Sequence, residues 1–462
     1  MAPKFGTSGL RGLVVELTPD LVADHIRAFV TACPAGTGLW VGRDLRPSSP
    51  ALAAAVADAA RAEGIAVTDC GAVPTPALAL AAMRAGAAAV MVTGSHIPAD
   101  RNGLKFYLPT GEISKADEAT ILAALGRAPG QGAAGLAANA VAGPDWVARY
   151  VTAFGAEALA GLRIGVWAHS AVSRDLLMQA LAGLGAMAVE VGRSDHFIPV
   201  DTEAVAPEAR AAIAAWVAEH RLDALISTDG DGDRPLLADG AGQIVPGDVL
   251  GQITAAALGA GVVVTPVSSN TGVAAPGRFG RVIRTRIGSP FVIAAMEAAG
   301  GRVVGYEANG GFLLGFAAQG PAGPLPALAT RDSLLPLVAT LHQARLAGGV
   351  AARVAQEPAR FTVADRLENT PTEASAALLS RLTGSPGALA ALLDRLGETA
   401  TATDLTDGLR ITLASGRVLH LRPSGNAPEF RVYVEAECPG AAQALMQAAF
   451  GLLRGAIAAD VA

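Results

Sequence analysis

The chain has 462 residues, enough at roughly 100–200 residues per domain for about three or four domains. Hydrophobic residues make up 51% and charged residues 16%, which excludes disorder, while aromatics reach only 4%, so the cores are expected to rest on alanine and close backbone packing. The 35 Lys and Arg against 41 Asp and Glu leave a net charge of −6, which excludes a broad polyanion-binding surface and makes nucleic acid an unexpected partner.

Thr18 before Pro19 and Asp20 predicts a capped helix with proline at its first position. LWVG at 39 to 42 reads as a strand, and Ser49 with Pro50 repeats the cap before an alanine-rich helix that stops near Gly64. Further buried strands are predicted at AAVMVTG (88–94), RIGVWA (163–168), ALIST (224–228), GVVVTPV (261–267) and RVVGYEA (302–308). Continuous apolar strands alternating with helices predict parallel α/β sheets covered on both faces. The uncharged run at 249 to 277 is broken by Gln252, Pro266, Ser268, Ser269, Asn270 and Pro276, and is read as helix plus strand rather than a membrane span. The last hundred or so residues change character: LRITLASGRVLHLRPSG alternates as a hairpin turning at Ser415 and Gly416, and RVYVEAE is a further strand before a C-terminal helix. Composition shifts at 129–144, 238–243 and 348–360 set expected domains of 1–140, 141–240, 241–355 and 356–462. Cys33, Cys70 and Cys438 are too scattered for a disulfide framework or a cysteine-ligated metal. MAPKFGTSGLRG lacks the apolar core of a signal peptide, so a cytoplasmic location is expected.

The densest chemical signal is DGDGDR, which puts Asp229, Asp231 and Asp233 directly after an apolar strand. Three carboxylates about 5 Å apart repel by roughly 3 kcal/mol per pair at an effective dielectric near 20, so a hard divalent cation is the natural resolution. An EF-hand is excluded, since Arg234 and Gly240 stand where that loop needs Gly and Glu. In TGSHIPADRNGLKFY, Ser95 lies between Gly94 and His96 in a turn at a strand end, with Arg101 and Lys105 nearby. A hydroxyl beside a cation site suits phosphoryl transfer. RPSGNAPEFR gathers Arg422, Ser424, Gly425, Asn426 and Arg431 around one turn, a donor set for a phosphate dianion. In GYEANGGF, Glu307 and Asn309 suit sugar hydroxyls, with a cap or turn role equally open. FGTSGLRG and VGRDLRPSS place Arg11, Arg43 and Arg46 in loops that are either phosphate contacts or surface turns.

Taken in order, FGTSGLRG, TGSHIPADRNGLKFY, DGDGDR, GYEANGG and RPSGNAPEFRVYVEA resemble the motif series of the α-D-phosphohexomutase superfamily, from one end of the chain to the other. The resemblance implies four domains around a central cleft: three similar α/β domains with mixed or parallel sheets, and a C-terminal α+β domain of the TATA-box-binding-protein-like type. It implies that Ser95 carries a phosphoryl group, that Asp229, Asp231 and Asp233 with an oxygen of Ser95 or its phosphoryl group hold one Mg²⁺, and that Glu307 and Asn309 bind sugar hydroxyls. Arg422, Ser424, Gly425, Asn426 and Arg431 would hold the non-reacting phosphate. His96 accompanies the serine, Arg11 and Lys105 lie near the reacting oxygens, and Arg234 faces the ligand.

Against the superfamily's usual pattern, Gly94 and Ile97 replace Ala and Asn, Asn309 stands where Ser is usual, and Asn426 and Ala427 stand for Thr and Glu. Gly311 replaces a histidine implicated in proton transfer, and Ser289 stands where many relatives have a larger residue. The expected activity is reversible transfer between the 1- and 6-positions of a hexose phosphate through a hexose 1,6-bisphosphate, which is also the expected activator. Mannose phosphate is favoured, ahead of phosphoglucomutase and phosphoglucosamine mutase activities. A metal-dependent sugar phosphatase and a non-catalytic sugar-phosphate binder are the readings from other classes. The implied partner is a small hexose phosphate, without nucleic acid or membrane, on a monomer or homodimer.

Overall fold

Each apolar run singled out above forms a strand in the computed structural model, which describes residues 3–6, 9–423 and 429–461. The chain divides into two compact units, Met1–Val264 with Gly288–Gln356, and Thr265–Ile287 with Glu357–Ala462.

The first unit contains three mixed sheets. In the largest, Ala88–Val92, Leu39–Arg43, Val67–Ala72 and Leu136–Ala138 run parallel in that order. Beyond Ala88–Val92 the sheet turns antiparallel through Arg101–Leu108, Leu10–Leu13 and Lys4–Phe5. Purely parallel sheets are therefore not what forms: the chain returns from Val92 through a turn too short for a crossover, which leaves only antiparallel pairing for the next strand. In the second sheet, Met187–Val191, Arg163–Trp167 and Ala224–Thr228 are parallel, and Pro235–Asp239 and Ile244–Val245 add antiparallel strands. The composition shift at 238–243 falls on the hairpin between these last two strands. In the third sheet Val262–Pro266 pairs in parallel, through Val262, Val263 and Val264, with Val303–Tyr306; Phe312–Leu314 and Leu328–Asp332 follow antiparallel.

Helices cover these sheets as their caps direct. Thr18 accepts from the Leu21 amide to start Pro19–Ala32. Ser49, by contrast, is not a cap: it is the first residue of Ser49–Ala62, and its hydroxyl donates to Asp44. All five residues of Ala88–Val92 and all five of Ala224–Thr228 are buried, and large side chains such as Phe29, Leu39 and Val56 fill the space between sheet and helices, each contributing about 1.5–3 kcal/mol on burial.

The second unit has one antiparallel sheet, ordered Phe361–Leu367, Phe430–Ala436, Val418–Pro423, Leu409–Leu413 and Ala400–Asp404. The predicted hairpin turns at Gly416, whose φ of 79° lies in the left-handed region. Leu378, Leu382, Leu445 and Met446 from the helices pack with Phe430, Val432 and Leu421, an α+β arrangement with one core. Cys33 and Cys70 are buried and Cys438 is exposed, all three as free thiols. No single described helix is long and apolar enough to cross a membrane.

Candidate active site

Three buried strands of the first unit end in three of the four motifs that lie within it. Ala88–Val92 leads to Ser95, Ala224–Thr228 to Asp229, and Val303–Tyr306 to Glu307. Carboxyl ends of parallel strands are where α/β sheets place ligands.

Ser95 is fully buried and has a φ of 54°, in the left-handed region that side-chain-bearing residues rarely enter. Its backbone is held there from both sides. The Ser95 amide donates to Thr93 Oγ1 at 2.7 Å, and Thr93 donates in turn to Asp44 Oδ2 at 2.7 Å. Arg46, fully buried beside Asp44, donates to the carbonyls of Ser95 (3.0 Å), Ile97 (2.5 Å), Pro98 (2.7 Å) and Arg101 (3.0 Å). Its guanidinium also lies 4.0 Å from the Phe197 ring centre. Arg46 is thus a clamp on the serine loop, with its donors spent on protein carbonyls and Asp44. The same contact accounts for Gly94: a Cβ there would meet Arg46 Cζ at 2.6 Å.

The three aspartates are fully buried, with one oxygen of each within 4.8 Å of the others. Ser95 Oγ donates to Asp229 Oδ2 at 2.7 Å, and Asp229 Oδ1 accepts from the Asp233 and Arg234 amides at 3.2 Å each. Lys105, set opposite Met91 in the neighbouring strand, reaches Asp231 at 2.5 Å and Asp233 at 2.6 Å. Thr75 Oγ1 donates to Asp231 at 2.6 Å, and Ser333 Oγ to the Gly232 carbonyl at 2.7 Å. Burial, followed by the charges of Asp231 and Asp233, pushes the Asp229 carboxyl well above the ordinary range. Burial acts in the same sense on Asp231, but the Lys105 ammonium and its hydrogen bond, with that of Thr75, outweigh it and hold this carboxyl below the usual range. Asp231 Oδ1 and Asp233 Oδ1 are buried without a hydrogen-bond partner. An all-oxygen, anionic cluster with two such atoms fits a hard divalent cation.

Further cations surround the carboxylates. Arg234 Nη1 lies 2.8 Å from His96 Nδ1, which is also 3.3 Å from Ser95 Oγ. Arg234 Nε is 3.8 Å from both Asp229 and Asp233. Desolvation and the positive field of Arg234 and Arg331, only partly offset by Asp231 and Asp233, bring the Arg11 guanidinium down to about 10. Arg331 lies 2.9 Å from Asp233 and 3.2 Å from Glu307. In the sugar-type loop, Asn309 Oδ1 accepts from the Gly311 amide at 3.0 Å, and Thr202 Oγ1 donates to the Asn309 carbonyl at 3.1 Å.

Ser95, His96, Lys105, Asp229, Asp231, Asp233 and Arg234 therefore form one contact network, Arg331 joins Glu307 to it, and Arg11 lies within its charge field. Asn309 lies in the Glu307 loop. Ser289, the first residue of Ser289–Ala299, donates to Glu112 Oε2 at 2.8 Å. Arg422 and Arg431 face each other across two strands of the second unit, Arg422 Nε lying 3.0 Å from Asp407 and Arg431 Nη2 3.6 Å from Glu429. Ser424, Gly425 and Asn426 lie outside the described residues, as do Thr7 and Ser8 of FGTSGLRG. Sequence reasoning missed Arg331, Thr75, Glu112 and Ser333, and read Arg46 as a phosphate contact or surface turn when it is buried. Thr330-Arg331-Asp332-Ser333 carried one usable signal, four consecutive polar residues running from the end of the strand Leu328–Asp332 to the start of the apolar helix Leu334–Ala347.

The chain matches the family models described as phosphoglucomutase/phosphomannomutase alpha/beta/alpha domain I over residues 2–129, domain II over 146–242, domain III over 246–358, and the C-terminal domain over 367–451. It is 45% identical to a phosphomannomutase of Sinorhizobium fredii, covering 99% of this chain and 100% of that one. It is 41% identical to a phosphomannomutase of Salmonella muenchen, over 94% and 92% of the two chains. Its fold is that of a phosphoglucomutase/phosphomannomutase family protein of Burkholderia thailandensis, with a TM-score of 0.78 at 22% identity over 97% of each chain.

Proposed function

The chain belongs to the phosphoglucomutase/phosphomannomutase family, and from that premise we propose that this phosphohexomutase interconverts mannose 6-phosphate and mannose 1-phosphate. The observation that carries the chemistry is the 2.7 Å hydrogen bond from Ser95 Oγ to Asp229, inside a buried carboxylate cluster. The names of the two phosphomannomutase relatives support mannose over glucose or glucosamine. The domain reading of 1–140, 141–240, 241–355 and 356–462 and a cytoplasmic location belong to the same proposal.

Ser95 is the residue that carries the phosphoryl group in this reading. In the first transfer the Oγ–P bond breaks, a bond forms from phosphorus to the free 1- or 6-oxygen of the sugar, and the proton which that hydroxyl loses ends on Ser95 Oγ. The product is hexose 1,6-bisphosphate. In the second transfer the bond from the other phosphorus to the sugar oxygen breaks, that phosphoryl group bonds to Ser95 Oγ, and the proton lost by Ser95 ends on the freed sugar oxygen. Asp229, Asp231 and Asp233, with an oxygen of Ser95 or its phosphoryl group, would hold the cation, Mg²⁺ in this reading, which supplies neutralising charge to the oxygens of the transferred group. Arg11, Arg234 and Lys105 add positive charge beside those oxygens, and the buried, left-handed Ser95 is preset for attack by the Arg46 clamp. His96 Nδ1 accepts from Arg234 and so keeps that guanidinium turned toward the serine loop. Glu307 and Asn309 are assigned to sugar hydroxyls, and Arg422, Ser424, Gly425, Asn426 and Arg431 to the non-reacting phosphate. With glycine at 311, proton transfer falls to the charged groups around Ser95, Lys105 and Arg11 first among them.

Incubating the protein with Mg²⁺, a trace of hexose 1,6-bisphosphate and each of the mannose, glucose and glucosamine phosphates tests this reading. A mutase moves phosphate between the 1- and 6-positions, fastest for mannose, with little inorganic phosphate released. Stoichiometric release of inorganic phosphate would identify a phosphatase instead.

A further inference from the structure

We infer that Arg331 is a positioning residue standing in the place of a side chain at 311, where it fixes Glu307 against the aspartate loop. The inference deepens the mutase reading and rests on it for its kinetic test alone.

Gly310 and Gly311 are adjacent, but only Gly310 needs to be glycine for its backbone, with a φ of 87°; residue 311 is not in the left-handed region. What a side chain at 311 would meet is Arg331. A Cβ there would sit 3.1 Å from Arg331 Cδ, with Asn309 Oδ1 and the Asp233 carbonyl each 3.2 Å away. A side chain at 311, the superfamily's usual histidine included, would therefore crowd Arg331.

The guanidinium is aimed by its neighbours. Leu328–Asp332 pairs with Phe312–Leu314 through Phe312 and Asp332. Asp332 accepts from Trp146 Nε1 at 3.2 Å, the Leu334 amide at 3.1 Å and the Tyr150 hydroxyl. On the other side, Thr330 Oγ1 and the Arg331 amide donate to Glu112 Oε1 at 3.2 Å and 3.4 Å. Arg331 is 2% exposed, so its fork has nowhere to turn. One arm lies 2.9 Å from Asp233 Oδ2 and the other donates to Glu307 Oε2 at 3.2 Å. The planar, permanently charged guanidinium hydrogen-bonds Glu307 through Nη1 and ion-pairs with Asp233 through Nη2, which makes no hydrogen bond, and so sets the spacing of two carboxylates in a way that a lysine point charge does not. Arg331 thereby joins the metal-type loop to the sugar-type loop and supplies no proton to either.

The test is a double-mutant cycle on the full chain, using Arg331→Ala, Gly311→His and the pair, with Arg331→Lys as a variant that keeps a buried charge. Thermal unfolding reads the competition for space. Gly311→His lowers Tm by about 2–6 °C when Arg331 is present and by clearly less when residue 331 is alanine. Kinetics with mannose 6-phosphate read the positioning. Arg331→Ala raises KM by about tenfold or more with a smaller fall in kcat, and Arg331→Lys recovers part of that KM. Additive Tm changes, or a wild-type KM in Arg331→Ala, would overturn the inference. A wild-type protein inert on hexose phosphates would sink the mutase reading, and the Tm cycle would still decide the claim about Arg331.

Discussion

Ser95 Oγ and Asp229 Oδ2, 134 positions apart in sequence, are joined by a 2.7 Å hydrogen bond at the ends of two buried strands. The acceptor is one of three buried carboxylates, and burial together with Asp231 and Asp233 makes its charged form costly. Neutralising it should therefore stabilise the metal-free fold while removing function, a conflict typical of a cation site. Asp229→Asn is expected to raise the metal-free Tm by about 2–6 °C, to abolish the Tm increase produced by Mg²⁺, and to lower kcat by roughly a thousandfold. Unfolding scans with and without Mg²⁺, beside a mutase assay, check all three; a destabilised variant that still responds to Mg²⁺ would count against the site.

Arg46 makes the serine loop's shape dependent on one side chain. Lysine at 46 keeps the charge but cannot span four carbonyls, so Arg46→Lys should reduce kcat by about 10–100-fold with little change in KM. Arg46→Ala leaves Asp44 buried without its ion-pair partner and should cost about 3–5 kcal/mol of stability. Gly94→Ala should fail for the complementary reason, since its methyl would sit 2.6 Å from Arg46 Cζ. Denaturant unfolding and steady-state kinetics separate these effects, and a fully active Arg46→Lys enzyme would show that the clamp does not set the loop.

Two buried histidines make the fold acid-labile. His169 Nε2 donates to the Thr228 carbonyl (2.9 Å) and His420 Nε2 to the Asp407 carbonyl (2.6 Å). Desolvation, against the favourable carbonyl contact, pushes each from an ordinary 6.5 down to about 4. The unfolded chain then binds more protons than the folded one between those values. Their contribution to stability is intact above about pH 6.5 and is lost as pH falls toward 4, by about 1.4 kcal/mol per pH unit for each histidine. Tm should fall over this window, and His420→Gln should flatten the fall; an unchanged slope in that variant would contradict the assignment.

Much of this was legible from short-range pattern. Apolar runs gave the strands, Thr18 gave its cap, and the spacing of Asp229, Asp231 and Asp233 gave the carboxylate cluster, because each depends on neighbours within a few positions. The sheets' antiparallel edges were not legible, since strand direction depends on which partner the chain returns to. Ser49 was misread as a cap because it is already the first helical residue, with its hydroxyl turned back to donate to Asp44, five residues earlier. Arg46 and Arg331 escaped for a different reason. A surface arginine and a buried clamp look alike in sequence, and what distinguishes them is a set of carbonyls or carboxylates from segments about 24 to 219 residues away.

The central claim is that Ser95 carries the phosphoryl group, and intact-mass measurement after brief exposure to hexose 1,6-bisphosphate and Mg²⁺ tests it most directly. The account predicts a species heavier than the wild-type chain by one phosphoryl group, absent from Ser95→Ala, which also loses 1-to-6 interconversion. An unmodified wild-type chain, or a Ser95→Ala variant that interconverts hexose phosphates at the wild-type rate, would contradict it.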